Sequence, residues 1–439
     1  MIERRAVEAV IWGMPVVNYE LMRQQMLTQT KAKIGEVVYW GRALDWMNQT
    51  LTPNPDTIYF MAFFDTHDGP VVIDVPAADE SGSLNVNMVT IWQMPLEDAG
   101  LLGIDKGAGG KFAILPPNYT GTTPAGFTPL QSDTYEGYAL IRSNMNSHSD
   151  ADVAKSIAYG KKLKVYPLST AANPPPTVFV DAQNVLFDST IRFDSTYFEN
   201  LNRVIQRDTW IERDRAMLDT LRMLGIEKGK PYKPDAQTRR ILDAAAVEAK
   251  AWLDARYEAG WDSFYPGTNW RPGGVPELAK AMSTRYAELG SYPLDLRGMI
   301  YTLGYIGIKR LGVGQFYLLT PKGKDGQTLD GANTYKLTVP PNVPIDQYWS
   351  VTVYDRQTHA LVRNMSRASR ASNSTEVQKN PDGSVDIYFG PKAPAGREAN
   401  WVPTDPEREF ELMFRAYGPK KDFFEKKWAL PDVEKIAAQ

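Results

Sequence analysis

Asn54, Asp56, Thr57 and Tyr59 fall within six consecutive positions, in the run Asn54-Pro55-Asp56-Thr57-Ile58-Tyr59. A carboxylate next to a phenol is equipped for acid–base work at a cleft, with Asp56 as base or metal ligand and Tyr59 as hydrogen-bond donor. The same residues have a plainer use. An Asn or Asp side chain accepts from backbone amides just ahead of it, so Asn54 or Asp56 could simply fold the chain into the following strand. Alternation along an extended chain puts Thr57, Tyr59 and Met61 on one side and Ile58 and Phe60 on the other.

Other side chains extend the candidate list. Arg363 and Asn364, then the run Arg367 to Arg370, follow a strand end, where arginines could clamp a carboxylate or phosphate or lie in a solvated loop. Trp92, Trp349, Tyr354 and Trp401 are aromatic residues of predicted strands or their ends, suited to a core, a sheet face or the wall of a cleft. Arg142 ends a strand, and Asn333 stands in a polar turn. The candidate ligand-binding set is thus Asn54, Thr57, Trp92, Arg142, Asn333, Trp349, Tyr354, Arg363, Asn364 and Trp401. Asp56 and Tyr59 are the candidate catalytic pair.

Several chemistries lack their motif. With no cysteine there is no disulfide, thiolate metal site or Cys nucleophile. The three histidines, His67, His148 and His359, match no metal signature, and Asp65 to Asp68 reads as a hairpin turn. An oxygen-only calcium site stays open at Asp325 and Asp330, although the full loop pattern with its terminal Glu is missing. There is no nucleophile elbow, no dinucleotide fingerprint and no haem motif. The stretch 103–112 has Asp105 and Phe112 where a phosphate loop needs Gly and Ser or Thr, so it reads as a flexible loop. Paired carboxylates at a cleft would still suffice for hydrolysis.

These side chains need a scaffold. The chain has 439 residues, 43% of them hydrophobic, and a net charge of −3. That is enough to bury large cores, and it gives no basic footprint for nucleic acid. No window supplies the ~18 apolar residues of a membrane span. Helical spacing over Val7 to Leu27 predicts a helix, kinked or split at Pro15. Strands follow at Ile58–Phe64, Val71–Val75, Met88–Trp92, Lys111–Leu115 and Thr134–Arg142, with Gly69-Pro70 turning the first hairpin. Asp150–Lys164 reads as a helix, and helices dominate from Phe198 to Tyr286, with Leu278–Leu289 the last of them. Strands return at Tyr335–Val339, Tyr348–Tyr354, Val385–Phe389 and Glu409–Tyr417.

Combined phrases carry a resemblance. Ala6 to Asn18, Asn54 to Tyr59, Gly69 to Pro76 and Gly110 to Gly121 resemble the DUF1254 family. Leu329 to Leu337, Tyr348 to Asp355, Asn380 to Pro394, Phe414 to Pro419 and Trp428 to Glu434 resemble the DUF1214 family, which commonly follows it. The resemblance implies a β-rich α+β protein. It would have two antiparallel β-sandwich, jelly-roll-like domains, a helical segment between them and an N-terminal helix. The expected limits are 1–170, 171–315 and 316–439. Many members are exported, which favours a periplasmic or secreted protein even though the sequence shows no signal peptide. Ser81 to Pro95 departs from the family's pattern, so a pocket lined there would take a different ligand.

Three functions follow as expectations. The first is binding of a small or carbohydrate-like ligand in an interdomain cleft. The second is a hydrolase or lyase using Asp56 and Tyr59 with an arginine clamp. The third is an envelope or assembly protein, and a homo-oligomer is compatible with it.

Overall fold

A computed structural model describes residues 1–304, 309–310 and 314–437. Residues 305–308 and 311–313, inside the predicted helical region 171–315, lie outside the described residues. The fold is α+β and β-rich, with two antiparallel-rich sandwiches and an N-terminal helix.

In the first sandwich a six-stranded sheet runs, edge to edge, through Phe179–Asp181, Val37–Tyr39, Ile58–Asp65, Glu136–Ser143, Leu84–Thr90 and Pro95–Gly100. The opposing sheet runs Lys164–Pro167, Val71–Val75, Gly110–Leu115 and Phe127–Gln131. Ile58, Phe60, Ala62 and Phe64 point into the space between the sheets, against Ile73, Val75, Phe112 and Ile114. Tyr59, Met61 and Phe63 point the other way, onto the helix Ile2–Thr28. Both faces of this sheet are therefore covered, which is why its central strand reads as an unbroken apolar run.

The helix Ile2–Thr28 passes through Pro15 without dividing. Proline removes one backbone donor and crowds the carbonyl of residue 11. Here the neighbouring carbonyls find partners outside the helix. Tyr197 donates to Val10 at 2.7 Å, and Arg297 donates to Trp12 at 2.9 Å. Gly298 lets the helix Leu294–Thr302 approach at this point, because a Cβ there would stand 2.7 Å from the Ile11 carbonyl oxygen. Gly298→Ala should accordingly cost about 1–3 kcal/mol, read as a lowered urea midpoint.

The second sandwich pairs the sheet Arg271–Pro272, Gln315–Thr320, Glu409–Tyr417, Trp349–Asp355 and Ser369–Ala371 with the sheet Trp401–Pro403, Val385–Gly390, Thr334–Val339 and Glu434–Ile436. Phe410, Leu412, Phe414 and Ala416 fill its core. Their alternates Glu411, Met413, Arg415 and Tyr417 leave by the opposite face, which meets the first sandwich.

Three expected boundaries move. The strand expected over Met88–Trp92 is Leu84–Thr90. Thr90 Oγ1 accepts from the amides of Trp92 and Met94, so its side chain ends the strand in a turn. The helix expected to reach Lys164 stops at Gly160, and Lys164 enters a strand beside Val71–Val75. The helix expected over Leu278–Leu289 is Pro276–Ser283, because Arg285 and Tyr286 turn to positive φ (53° and 58°).

Candidate functional site

The segment Thr52–Asp56 lies between the two sandwiches and is held by hydrogen bonds from the second. Arg415 Nη2 donates to the Thr52 carbonyl at 3.1 Å, Tyr354 to that of Pro53 at 2.6 Å and Tyr348 to that of Asp56 at 3.1 Å. Thr52 has φ of 38°, a conformation that a β-branched residue rarely accepts. Every polar group of Thr52 is held. Its amide donates to the His359 carbonyl and its hydroxyl to the Leu303 carbonyl. Strain of this kind persists only where the surroundings over-determine it.

On one flank of this segment lies an inner cavity of about 60 Å³. Each sandwich presents an arginine opposite a tyrosine on the adjoining strand. Arg142 stands across from Tyr59, and Arg415 across from Tyr317. Both guanidiniums lie over their tyrosine rings, 5.4 and 5.3 Å from the centroids. Tyr59 OH accepts from Arg142 Nε at 3.3 Å and from the Asn54 amide at 3.1 Å. Both of its lone pairs are then engaged, which leaves the phenolic proton as its remaining donor. Asn54 Nδ2 donates to Tyr417 OH at 2.5 Å, and Asn54 Oδ1 accepts from the Asp56 amide at 3.0 Å. Asn54 therefore makes the Asx turn and also lines the cavity.

The charge here is one-sided. Arg142 is 7% exposed and Arg415 1%. Among the described residues no carboxylate lies within 4.0 Å of either. Arg142 Nη1 donates to Asn87 at 2.7 Å, and Asn87 donates to Asp98 at 2.9 Å, so a carboxylate is met only through an amide. Burial pushes the Asp98 carboxyl up. Arg415 donates to Thr352 and Tyr354, both neutral. Burial also pushes the phenols of Tyr354 and Tyr417 up, outweighing Arg415's opposite pull. They remain neutral donors and do not offset the guanidiniums.

Asp56 and Tyr59 line different cavities. Asp56 faces a second one of about 240 Å³ on the other flank, with His148, Ser369 and Arg370 in its walls. Asp56 Oδ1 accepts from Ser369 Oγ at 2.8 Å and stands 3.3 Å from His148 Nε2. Interaction with the Asp56 carboxylate holds the His148 pKa above the usual range, against the opposing effect of burial. A raised value means that the pairing contributes fully below about pH 6.5 and is lost as pH rises through the folded-state pKa. Asp56 and Glu376 act on His148, and Arg370 shares its cavity. Replacing His148→Gln should therefore lower the melting temperature by roughly 1–3 °C near pH 6, with the gap closing by about pH 9.

The other candidates are scattered. Thr57 donates to the Ser143 carbonyl at 2.9 Å. Trp92 packs on Trp12 at 4.7 Å, beneath Arg297. Tyr354 stands behind Arg415. Trp349 stacks on Phe414 in the second core, 5.9 Å between centroids. Asn333 closes a turn on Asp330 at 2.9 Å. Arg363 pairs with Asp188 at 2.6 Å, and Asn364 is exposed with φ of 60°. Trp401 donates to the Gly390 carbonyl at 2.9 Å. Asp325 and Asp330 accept from backbone amides of their own turns. Among the described residues no three His, Cys, Asp or Glu side chains are grouped to hold a metal ion, and no helix is long and apolar enough to cross a membrane. Arg415, His148 and Ser369 were not on the candidate list. For Arg415 the available signal was a basic residue at an alternate position of a strand whose other charges, Glu409 and Glu411, are acidic.

Fold and cavity together define a two-sandwich protein whose candidate site is shared between its halves. Residues 34–167 match the model of the family described as protein of unknown function DUF1254, and residues 314–421 match that of DUF1214, described in the same words. The chain thus carries a DUF1254 match followed by a DUF1214 match, in the N-terminal to C-terminal arrangement that the sequence phrases pointed to. Tyr59 and Arg142 lie within the first match, and Tyr317 and Arg415 within the second. The chain is similar to the crystal structure of the VPA0106 protein from Vibrio parahaemolyticus, with 20% identity, a TM-score of 0.60 and coverage of 100% of both chains. It is also similar, at 12% identity and a TM-score of 0.43, to an uncharacterized protein from Burkholderia cenocepacia, covering 99% of this chain and 94% of that one. The first likeness is one of fold. The curated proteins contain no match.

Proposed function

We propose that the protein binds a small anionic ligand in the closed cleft between its sandwiches. The observation that carries this is the pair of buried guanidiniums, Arg142 and Arg415, facing one cavity without a carboxylate partner. Removing an ion from water still costs several kcal/mol after relaxation. Two such costs, met by neutral tyrosines and amides, are what a site must bear if its counter-charge arrives with the ligand. The Tyr59 phenol adds a donor, and Met61, Leu140 and Met413 supply an apolar wall. A cavity of about 60 Å³ is smaller than the ~150 Å³ space that admits benzene, so it suits a carboxylate-sized or phosphate-sized ion. A carbohydrate-like ligand would need the cleft to open. Export to the periplasm or beyond is supported by the family resemblance alone.

The test is thermal unfolding with acetate, larger carboxylates, phosphate and sulfate, each against sodium chloride at matched ionic strength. One anion should raise the melting temperature in proportion to the logarithm of its concentration, as single-site linkage requires. A response equal to that of chloride for every anion would sink the proposal. The separation of Asp56 from Tyr59 weakens a hydrolase or lyase in which the two act together, and no observation favours a purely structural envelope role.

A further inference from the structure

We propose that the second cavity, on the opposite flank of the Thr52–Asp56 segment, is a separate binding site for a small carboxylate that also carries a hydroxyl or amino group. It goes beyond the inner-cavity proposal, because Arg370, Asp56, His148 and Ser369 do not line that cavity.

Two buried, unpartnered groups in its wall carry the inference. Arg370 is 5% exposed and spends Nη1 on Glu376 Oε1 at 3.0 Å. Its Nε and Nη2 are buried and have no hydrogen-bond partner among the described residues. These two nitrogens form one edge of the guanidinium, with parallel N–H bonds spaced for the two oxygens of a carboxylate. Nearby arginines differ. Arg363 is paired with Asp188, and Arg367 donates to the carbonyls of Glu398 and Trp401.

Asp56 supplies the complementary group. It is 1% exposed, its Oδ1 faces Ser369 and His148, and its Oδ2 is buried without a partner. A buried carboxylate oxygen calls for a donor. The cavity wall thus combines Arg370, with its unpartnered donor edge, and Asp56, with its unpartnered acceptor, beside Asp45 and Glu376, and Leu44 and Val362 give it an apolar part. A phosphate dianion would meet repulsion from Asp56. A 2-hydroxy acid monoanion or a zwitterionic 2-amino acid satisfies both unpartnered groups at once, through its carboxylate and its O–H or N–H.

The ring of His148 reports on this cavity. The full chain, labelled with ¹⁵N-histidine, has three ring signals to follow, and His148→Gln assigns the relevant one. Lactate and alanine should shift that signal saturably at millimolar concentration, and acetate should need at least about fivefold more. Arg370→Gln and Arg370→Lys should each weaken lactate binding at least about tenfold, because neither keeps the paired edge. Asp56→Asn should narrow the preference for lactate over acetate. Arg415→Met, an inner-cavity change, should leave the titration unaltered. The proposal is overturned if no hydroxy or amino acid shifts His148 saturably in the wild-type protein. It is overturned equally if acetate and lactate are equivalent, or if Arg415→Met removes the response while Arg370→Lys keeps it. The wild-type titration decides the first point even if a variant fails to fold.

Discussion

Replacing Arg415→Met should abolish anion-dependent stabilisation while leaving the anion-free protein close to wild-type stability. Methionine keeps much of the volume, so the cavity wall persists. The Thr52 carbonyl, Thr352 and Tyr354 lose a charged donor, which costs about 1–3 kcal/mol for each group left unpaired. Against this stands relief from a buried guanidinium without a counter-ion, worth several kcal/mol. The terms largely offset one another, and the loss of function appears elsewhere. An anion at about 100 times its dissociation constant stabilises the wild-type protein by ~2.7 kcal/mol, and the variant should gain nothing. Melting curves of both proteins, with and without the anion, check this. A variant badly destabilised without anion, beside a wild type that ignores anions, would make Arg415 a structural residue.

The second large effect lies away from the cavity. Arg207 links two buried carboxylates, Glu20 at 1% and Glu136 at 2% exposure. It donates to Glu20 Oε2 through Nη2 and to Glu136 Oε1 through Nε at 3.0 Å. Arg207→Met strands both, and breaking a buried pair by removing one partner costs about 3–5 kcal/mol. Arg23, 3.3 Å from Glu136, retains part of the compensation. Equilibrium urea unfolding measures the loss. A loss under about 1 kcal/mol would show that water already solvates the network.

Much of the scaffold was legible in the sequence. Ile58–Asp65 and Val71–Val75 are long apolar runs with a Gly-Pro turn between them, and Glu409–Tyr417 alternates. These signals are local. The cavity was only half legible, for a physical reason. Asn54, Tyr59 and Arg142 attract notice as polar residues at the start and end of strands, but their partner, Arg415, is more than 270 positions beyond Arg142 in the chain. No spacing rule joins them; only the packing of one sheet face on another does. Asp56 and Tyr59 appeared as a pair because they are three residues apart. The turn that Asn54 makes before the strand sends them to opposite flanks. Pro15 misled in the other direction. The helix nevertheless continues, with Tyr197 and Arg297 donating to the carbonyls on either side of residue 11, and those partners cannot be inferred from local sequence.

The grip of the second sandwich on Thr52, Pro53 and Asp56 also bears on synthesis. Tyr59 and Arg142 leave the ribosome long before Arg415, whose strand is among the last described elements to emerge. Until then the early sandwich has an open wall, and the Thr52 carbonyl lacks the guanidinium that bonds it. An inner cavity can thus exist only on a chain that has been translated through the Glu409–Tyr417 strand.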